Sequence, residues 1–100
     1  MKIRWTEHAV GELLSIGRYV AHRDVQAARR LVARLRSSIK RLSKHPFSGR
    51  MVPEFERDEL REVIELHYRI VYLVKEKEVL VLSVFDSHRE FPEEIPDEVP

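Results

Sequence analysis

The segment LREVIELHYRIVYLVKEKEVLVLSVFDSHREF, residues 60–91, decides the fold of this 100-residue chain. Its apolar residues occur in short runs rich in β-branched and aromatic side chains, which is typical of β-strands. The runs predict strands at residues 61–66, 68–74 and 79–85. The polar residues 75–78, KEKE, predict a hairpin turn between the last two strands.

Two amphipathic helices are predicted upstream of this segment. Apolar residues recur at helical spacing over residues 7–22, after Thr6 as an N-cap, and again from the N-cap Asp24 to about Lys44. The connection between them is so short that the helices must form an antiparallel hairpin. Residues 1–5 alternate between basic and apolar and predict a first strand.

The resulting order is β–α–α–β–β–β, with residues 46–53 predicted to be a loop and residues 54–59 a turn or a short helical piece. This order predicts an α+β fold, in which the helix hairpin packs on one face of a mainly antiparallel sheet. The other face is expected to stay largely open.

The composition excludes several classes of protein. No cysteine is present, so disulfides and thiolate metal sites are impossible, and the five histidines show no metal-binding spacing. No phosphate-binding glycine loop occurs, so neither a metal nor a cofactor is predicted. The chain has no signal peptide and no apolar run of membrane-spanning length, which predicts a cytoplasmic protein without a membrane partner.

Charge is distributed unevenly along the chain. Residues 90–100 contain five acidic residues and no basic residue, which leaves 18 basic and 12 acidic residues, a net charge of +6, in residues 1–89. We therefore expect a single domain at residues 1–91 and an acidic tail at residues 92–100. The tail is either a solvated end or a segment that folds back over a basic groove. The second helix is also basic. It presents either a solvated face or a surface for an acidic or nucleic-acid partner.

Arg61, Arg69, His88 and Arg89 stand among or directly after the apolar strands. Alternation along the strand at 68–74 places Arg69 on the face away from the helices, where the four cations would converge and bind phosphate oxygens. His88 could then act as a general acid or base, and Arg89 could stabilise developing charge. The alternative is that these arginines form structural ion pairs with nearby carboxylates.

The whole pattern resembles the ParE/RelE superfamily of toxins from type II toxin–antitoxin modules, the plasmid-stabilisation type. The matching parts span the chain to about residue 91: Ala9, Leu13 and Tyr19 of the first helix; Ala27 to Leu42 of the second; His45, Pro46, Gly49 and Arg50 of the loop; and Leu60–Val63, Tyr68–Tyr72 and Val79–Glu90 of the strands. The order of elements is also that of the superfamily, so the resemblance implies a RelE-like fold.

The resemblance implies a toxin that is neutralised by a cognate antitoxin. ParE-like members inhibit DNA gyrase and are not enzymes, whereas RelE-like members are metal-independent endoribonucleases that cleave mRNA on the ribosome. By resemblance, Arg61, Arg69, His88 and Arg89 would be catalytic in a RelE-like chain, but Val63 stands where a further basic residue is expected. ParE-like gyrase inhibition is therefore the leading hypothesis, followed by RelE-like cleavage and by a non-catalytic module that binds an antitoxin or nucleic acid.

Overall fold

The structure is a computed structural model that describes residues 1–93 and 95. Helix α1 spans Glu7–Ala21, and the Thr6 hydroxyl caps it by accepting a hydrogen bond of 3.0 Å from the Ala9 backbone N–H. Helix α2 spans Val25–Ser38, and the Asp24 carboxylate caps it in the same way at Ala27, also at 3.0 Å. Both predicted caps are confirmed, because each side chain satisfies a backbone donor that the first turn leaves unpaired.

The second helix ends earlier than predicted. Ile39, with φ −103° and ψ 0°, leaves the helical conformation, and a 3₁₀ turn continues at Lys40–Ser43. The apolar spacing runs through this break, since Leu35, Ile39 and Leu42 are all buried. The periodicity therefore located the buried stripe correctly but could not reveal the change of helix type.

Five strands form one sheet: β1 (Lys2–Trp5), β2 (Arg50–Met51), β3 (Leu60–Glu65), β4 (Tyr68–Val74) and β5 (Glu78–Asp86). Their order across the sheet is β1-β5-β4-β3-β2, and every pair is antiparallel except β1 with β5. The predicted α+β fold, a helix hairpin on a mainly antiparallel sheet, is confirmed. The predicted order lacks one strand, because β2 lies within the expected loop and two residues are too few to show a periodicity.

Each face of the sheet carries its own apolar core. The helix-side core joins Leu13 and Leu35 to Ile70 and Tyr72 of β4, as the alternation predicted. The opposite core is formed by Val52, Leu60, Val71, Leu80, Leu82 and Phe85, with Phe91 and Ile95 packed against it. The second face was expected to be open, but it is covered. Val52, which precedes β3, and Phe91 and Ile95, which follow β5, pack against it.

No helix in the described part of the chain is long and apolar enough to cross a membrane. Of the predicted acidic tail, Glu94 and residues 96–100 lie outside the described residues. The hypothesis that the tail folds back over a basic groove falls largely on those residues.

Candidate functional site

Arg69 lies near the start of β4, on the face of the sheet away from the helices, where it pairs with Ile64 on β3 and Phe85 on β5. Its side chain is only 9% exposed. The guanidinium donates two hydrogen bonds of 2.8 Å to the carboxylate of Glu54, one to each oxygen, and its Nε donates at 2.6 Å to Oε1 of Glu62. Arg69 is thus held by two carboxylates.

The network extends to a second arginine. Glu62 is 1% exposed, and its other oxygen accepts a 2.6 Å hydrogen bond from Nε of Arg50 on the edge strand β2. The Arg69 hydrogen bond lowers the pKa of Glu54, and hydrogen bonds to Glu54 and Glu62 raise the pKa of Arg69 against the effect of burial. Both shifts favour the charged forms of Glu54 and Arg69, and each buried charged side chain has a partner, as burial requires.

Aromatic rings cover the Arg69 guanidinium. Its central carbon lies 4.9 Å from the ring centroid of Phe91 and 5.5 Å from that of Phe85. Phe91 makes edge-on contacts with Phe85 at 5.4 Å and with Phe55 at 5.3 Å. Cation–π contacts of this kind strengthen as water is excluded. The rings and the ion pairs therefore both fix the position of the Arg69 guanidinium.

Arg61 lies on the opposite face of the sheet from Arg69. It pairs with Tyr72, whose ring is part of the helix-side core. Its guanidinium donates to the backbone oxygens of Asp58 at 2.8 Å and Gly49 at 3.2 Å, and forms an ion pair with the Asp58 carboxylate. Its central carbon also lies 5.2 Å from the ring centroid of Phe47. These contacts tie Arg61 to the loop before β2 and the turn before β3.

His88 and Arg89 follow the end of β5. The His88 side chain is 82% exposed, and its Nδ1 lies 2.8 Å from Oδ1 of Asp86. That carboxylate also accepts a hydrogen bond from the His88 backbone N–H, which lowers the pKa of Asp86. Arg89 lines a cleft between α1 and the ends of β4 and β5.

The four predicted site residues therefore do not converge on one sheet face. Arg61 and Arg69 occupy opposite faces, and both are held by carboxylates, which agrees with the ion-pair alternative. Val63 is buried in the helix-side core. Catalytic roles for Arg61, Arg69, His88 and Arg89 remain a prediction tied to the RelE-like hypothesis. Among the described residues, no group of three or more His, Cys, Asp or Glu side chains is arranged to hold a metal ion.

Two concave surfaces are open to a ligand or a partner, whereas Arg61 and Arg69 are held by carboxylates. The first is the cleft that includes Arg89, with a volume of about 800 Å³. The second is a groove of about 420 Å³ along the two helices, with Leu14, Val25 and Val32 as apolar lining and with Arg18, Arg29 and Arg36. Among the residues that the structure describes, no acidic residue lines this helix-hairpin groove. The sequence predicted a possible partner surface on the basic face of the second helix, to which Arg29 and Arg36 belong, but it indicated neither the cleft nor the apolar lining of the groove, where Leu14 and Val25 are about half exposed.

The architecture defines a class of protein: a small α+β domain in which a helix hairpin packs on one face of a mainly antiparallel sheet. A family model described as "ParE toxin of type II toxin-antitoxin system, parDE" matches residues 3–91. The protein called "Putative toxin Y4kP" of Sinorhizobium fredii is 34% identical over 92 residues, which are 92% of this chain and 94% of that protein. This chain belongs to the ParE toxin family of type II toxin–antitoxin systems.

Solved structures agree with this assignment. A structure titled "Chromosomal ParDE TA system from P. aeruginosa" matches with a TM-score of 0.72 and 25% identity, covering 86% of this chain and 95% of that one. The solution structure of the Helicobacter pylori protein HP0894 has a TM-score of 0.56 and 18% identity, covering 91% and 99% of the two chains. The second match shows a shared fold only.

Proposed function

We propose that this chain is a ParE-like toxin that inhibits DNA gyrase and is neutralised by a cognate antitoxin. Membership of the ParE family supports the toxin and its antitoxin partner. The observation that favours an inhibitor acting by binding is the state of Arg69. Its side chain is 9% exposed and its guanidinium is paired with Glu54 and Glu62, which leaves no accessible fork for a scissile phosphate.

Two parallel assays test this proposal against the nuclease alternative. Purified toxin is added to gyrase with relaxed plasmid and ATP, and separately to ribosomes translating a defined mRNA. We expect loss of supercoiling and accumulation of cleaved DNA–gyrase complexes, with the mRNA intact. Ribosome-dependent cleavage of the mRNA with gyrase unaffected would overturn the proposal.

A variant of the exposed residue His88 distinguishes further between gyrase inhibition and mRNA cleavage. His88→Ala removes a side chain that is 82% exposed, so the fold should be unchanged. Under the gyrase proposal this variant keeps its toxicity, since no proton transfer is required of it. A tenfold or larger loss of mRNA cleavage in the same variant would instead identify His88 as part of a nuclease.

The helix-hairpin groove is the surface that best fits the antitoxin. It exposes Leu14 and Val25, and the described part of its lining contains arginines but no acidic residue. An amphipathic helix with acidic flanks would bury these apolar side chains and satisfy the arginines. The two helices are in close contact at the floor of the groove, since a Cβ on Gly17 would lie 2.9 Å from the Val32 side chain.

Charge reversal in the groove tests this part separately. Arg29→Glu combined with Val25→Glu should weaken antitoxin binding at least tenfold while gyrase inhibition persists, measured by calorimetry and by supercoiling. Ile64→Glu combined with Arg30→Glu, which changes the charge equally at a comparably exposed apolar residue on β3 and at an arginine outside the groove lining, is the matched control and should leave antitoxin affinity unchanged. Equal loss of affinity in the control would place the antitoxin elsewhere.

A further inference from the structure

The cleft between α1 and the strand ends contains a phenol whose hydroxyl is not used by the fold. Tyr68 lines this α1–β5 cleft and is 8% exposed. Its hydroxyl makes no hydrogen bond within the described residues, yet no fully buried side-chain polar atom there lacks a partner. The hydroxyl therefore reaches solvent in the cleft, as a donor available to a ligand. Burial and the charge of Asp86 raise the pKa of Tyr68, so the donor keeps its proton.

Cations line the same cleft from both sides. Arg18 comes from α1 and Arg89 from the turn after β5. Neither forms an ion pair within residues 1–93 and 95, in contrast to Arg61 and Arg69. No ion pair among the described residues therefore competes with a ligand for these two guanidiniums. A guanidinium on each wall suits an anion with several oxygens, such as a phosphate.

Two carboxylates also line the cleft, but both are already engaged. Oε1 of Glu12 accepts hydrogen bonds from the Ser83 hydroxyl at 2.6 Å and the Val84 backbone N–H at 2.9 Å, and lies 3.2 Å from Nε2 of His8. Asp86 is held by His88. The second oxygen of Glu12 can still accept a hydrogen bond from an amino group, so the cleft offers acceptors as well as cations.

Helix α1 contributes two features to the cleft: an exposed aromatic ring and an unoccupied space beside a glycine. Tyr19 is 82% exposed, which leaves a face available for stacking. Gly11, in the middle of the helix, has nothing within 4 Å of the position its Cβ would take. A glycine costs a helix stability relative to alanine, and packing among the described residues does not explain this one. Its place in the lining lets a ligand approach the helix backbone closely.

We propose that the α1–β5 cleft binds a nucleotide unit of single-stranded nucleic acid. Tyr19 stacks on the base, Glu12 accepts from an exocyclic amino group, and Arg18, Arg89 and the Tyr68 hydroxyl hold the phosphate. Stacking plus cations is the usual combination for single strands. This site goes beyond inhibition of gyrase by protein binding, which does not require it.

The test measures binding of a fluorescein-labelled five-nucleotide single-stranded DNA by anisotropy at 50 mM salt. We expect at least tenfold weaker binding for Arg18→Ala/Arg89→Ala and roughly tenfold for Tyr19→Ala, since a stacked base contributes on that scale. Gly11→Leu should block the cleft. Tyr68→Phe should weaken binding severalfold, as the loss of one hydrogen bond does.

Controls separate this site from general attraction to a basic protein. Arg30→Ala removes an exposed arginine of α2 outside the cleft and should bind like wild type, and circular dichroism should confirm that all variants are folded. Adenosine 5′-phosphate should bind at least fivefold more tightly than ribose 5-phosphate. Equal binding of the two phosphates, an equal effect of Arg30→Ala, or equally effective competition by a pentaglutamate peptide would each overturn the proposal.

Discussion

At the scale of single residues, Arg69 holds the sheet face opposite the helices by neutralising Glu62, which has no exposed side-chain surface. Arg69→Ala would leave that carboxylate with Arg50 alone, and we expect a loss of about 3–5 kcal/mol in the free energy of unfolding. Urea denaturation measures this. Arg34→Ala, which breaks an exposed pair with Glu65, should cost less than about 1 kcal/mol. Equal costs for the two variants would contradict a structural role for Arg69.

Glu54 adds a pH dependence to the same ion pair. Arg69 lowers its pKa in the folded state below the ordinary value of 4.5, so its contribution to stability is complete above that value. The contribution is lost as the pH falls through the lower, folded pKa, where the carboxylate takes up a proton. Glu54→Gln should therefore be less stable than wild type at pH 7, and the difference should shrink below pH 4.5. A difference that stays constant from pH 7 to pH 3 would exclude this linkage.

The residue scale is also where the sequence was least informative. Alternation placed Arg69 on the correct face, but nothing in the spacing indicated that Glu54, 15 residues earlier, would fold over it. Arg61 was expected on the same face, and the observed register pairs it with Tyr72 on the other. Ion-pair partners depend on loop paths, which have no periodicity, so predicted strands alone could not decide between a phosphate site and a structural pair.

At the scale of elements, the loop before β2 depends on a close approach to the sheet. The Tyr72 hydroxyl accepts a 3.0 Å hydrogen bond from the Gly49 N–H and donates one of 2.7 Å to the Pro46 oxygen. A Cβ on Gly49 would lie 2.5 Å from that hydroxyl and 2.6 Å from the backbone oxygen of Glu62. Gly49 is therefore required by the contact of this loop with the sheet, which the sequence alone could not reveal.

Two glycine-to-alanine variants should move stability in opposite directions. Gly49→Ala forces the loop away from Tyr72, and we expect a loss of about 1–3 kcal/mol. Gly11→Ala adds a methyl group to an open position in α1, and should stabilise by about 0.5–1 kcal/mol. Thermal denaturation of both variants provides the measurement. Destabilisation by Gly11→Ala would show that the space around it is smaller than the structure indicates.

Strong local signals explain which elements could be predicted. The apolar run of β4 and the caps Thr6 and Asp24 are decided within a few residues, and all were located correctly. Strand β2 exists because Arg50 and Met51 pair with β3, a contact between distant segments. Elements fixed by tertiary contact leave no pattern of their own, and the same holds for the 3₁₀ turn after Ser38.

At the scale of the whole molecule, the sheet separates two apolar cores, and the segments that cover these cores differ in size. The helix hairpin packs over one face, whereas the other is covered by short segments that include Phe55, Phe91 and Ile95. A cavity of about 220 Å³ remains beside them, lined in part by Leu60 and Leu73. Segments with few buried contacts open at a lower free energy than core strands. We therefore expect amides at 88–91 to exchange hydrogen faster than those of β4 and β5.

Phe91→Ala tests whether the segments that cover the face opposite the helices are held mainly by one aromatic ring. Phe91 is partly buried and contacts Phe85, Phe55 and Arg69, so its loss should cost about 2 kcal/mol, less than a fully buried phenylalanine. Dye binding to the exposed apolar face should rise, while exchange protection in the helices stays as in wild type. Phe47→Ala, at a half-exposed ring over Arg61, is the control and should change neither property appreciably. Loss of helix protection in Phe91→Ala would mean that the two cores unfold as one unit, because the sheet would then transmit the loss of one cover to the other.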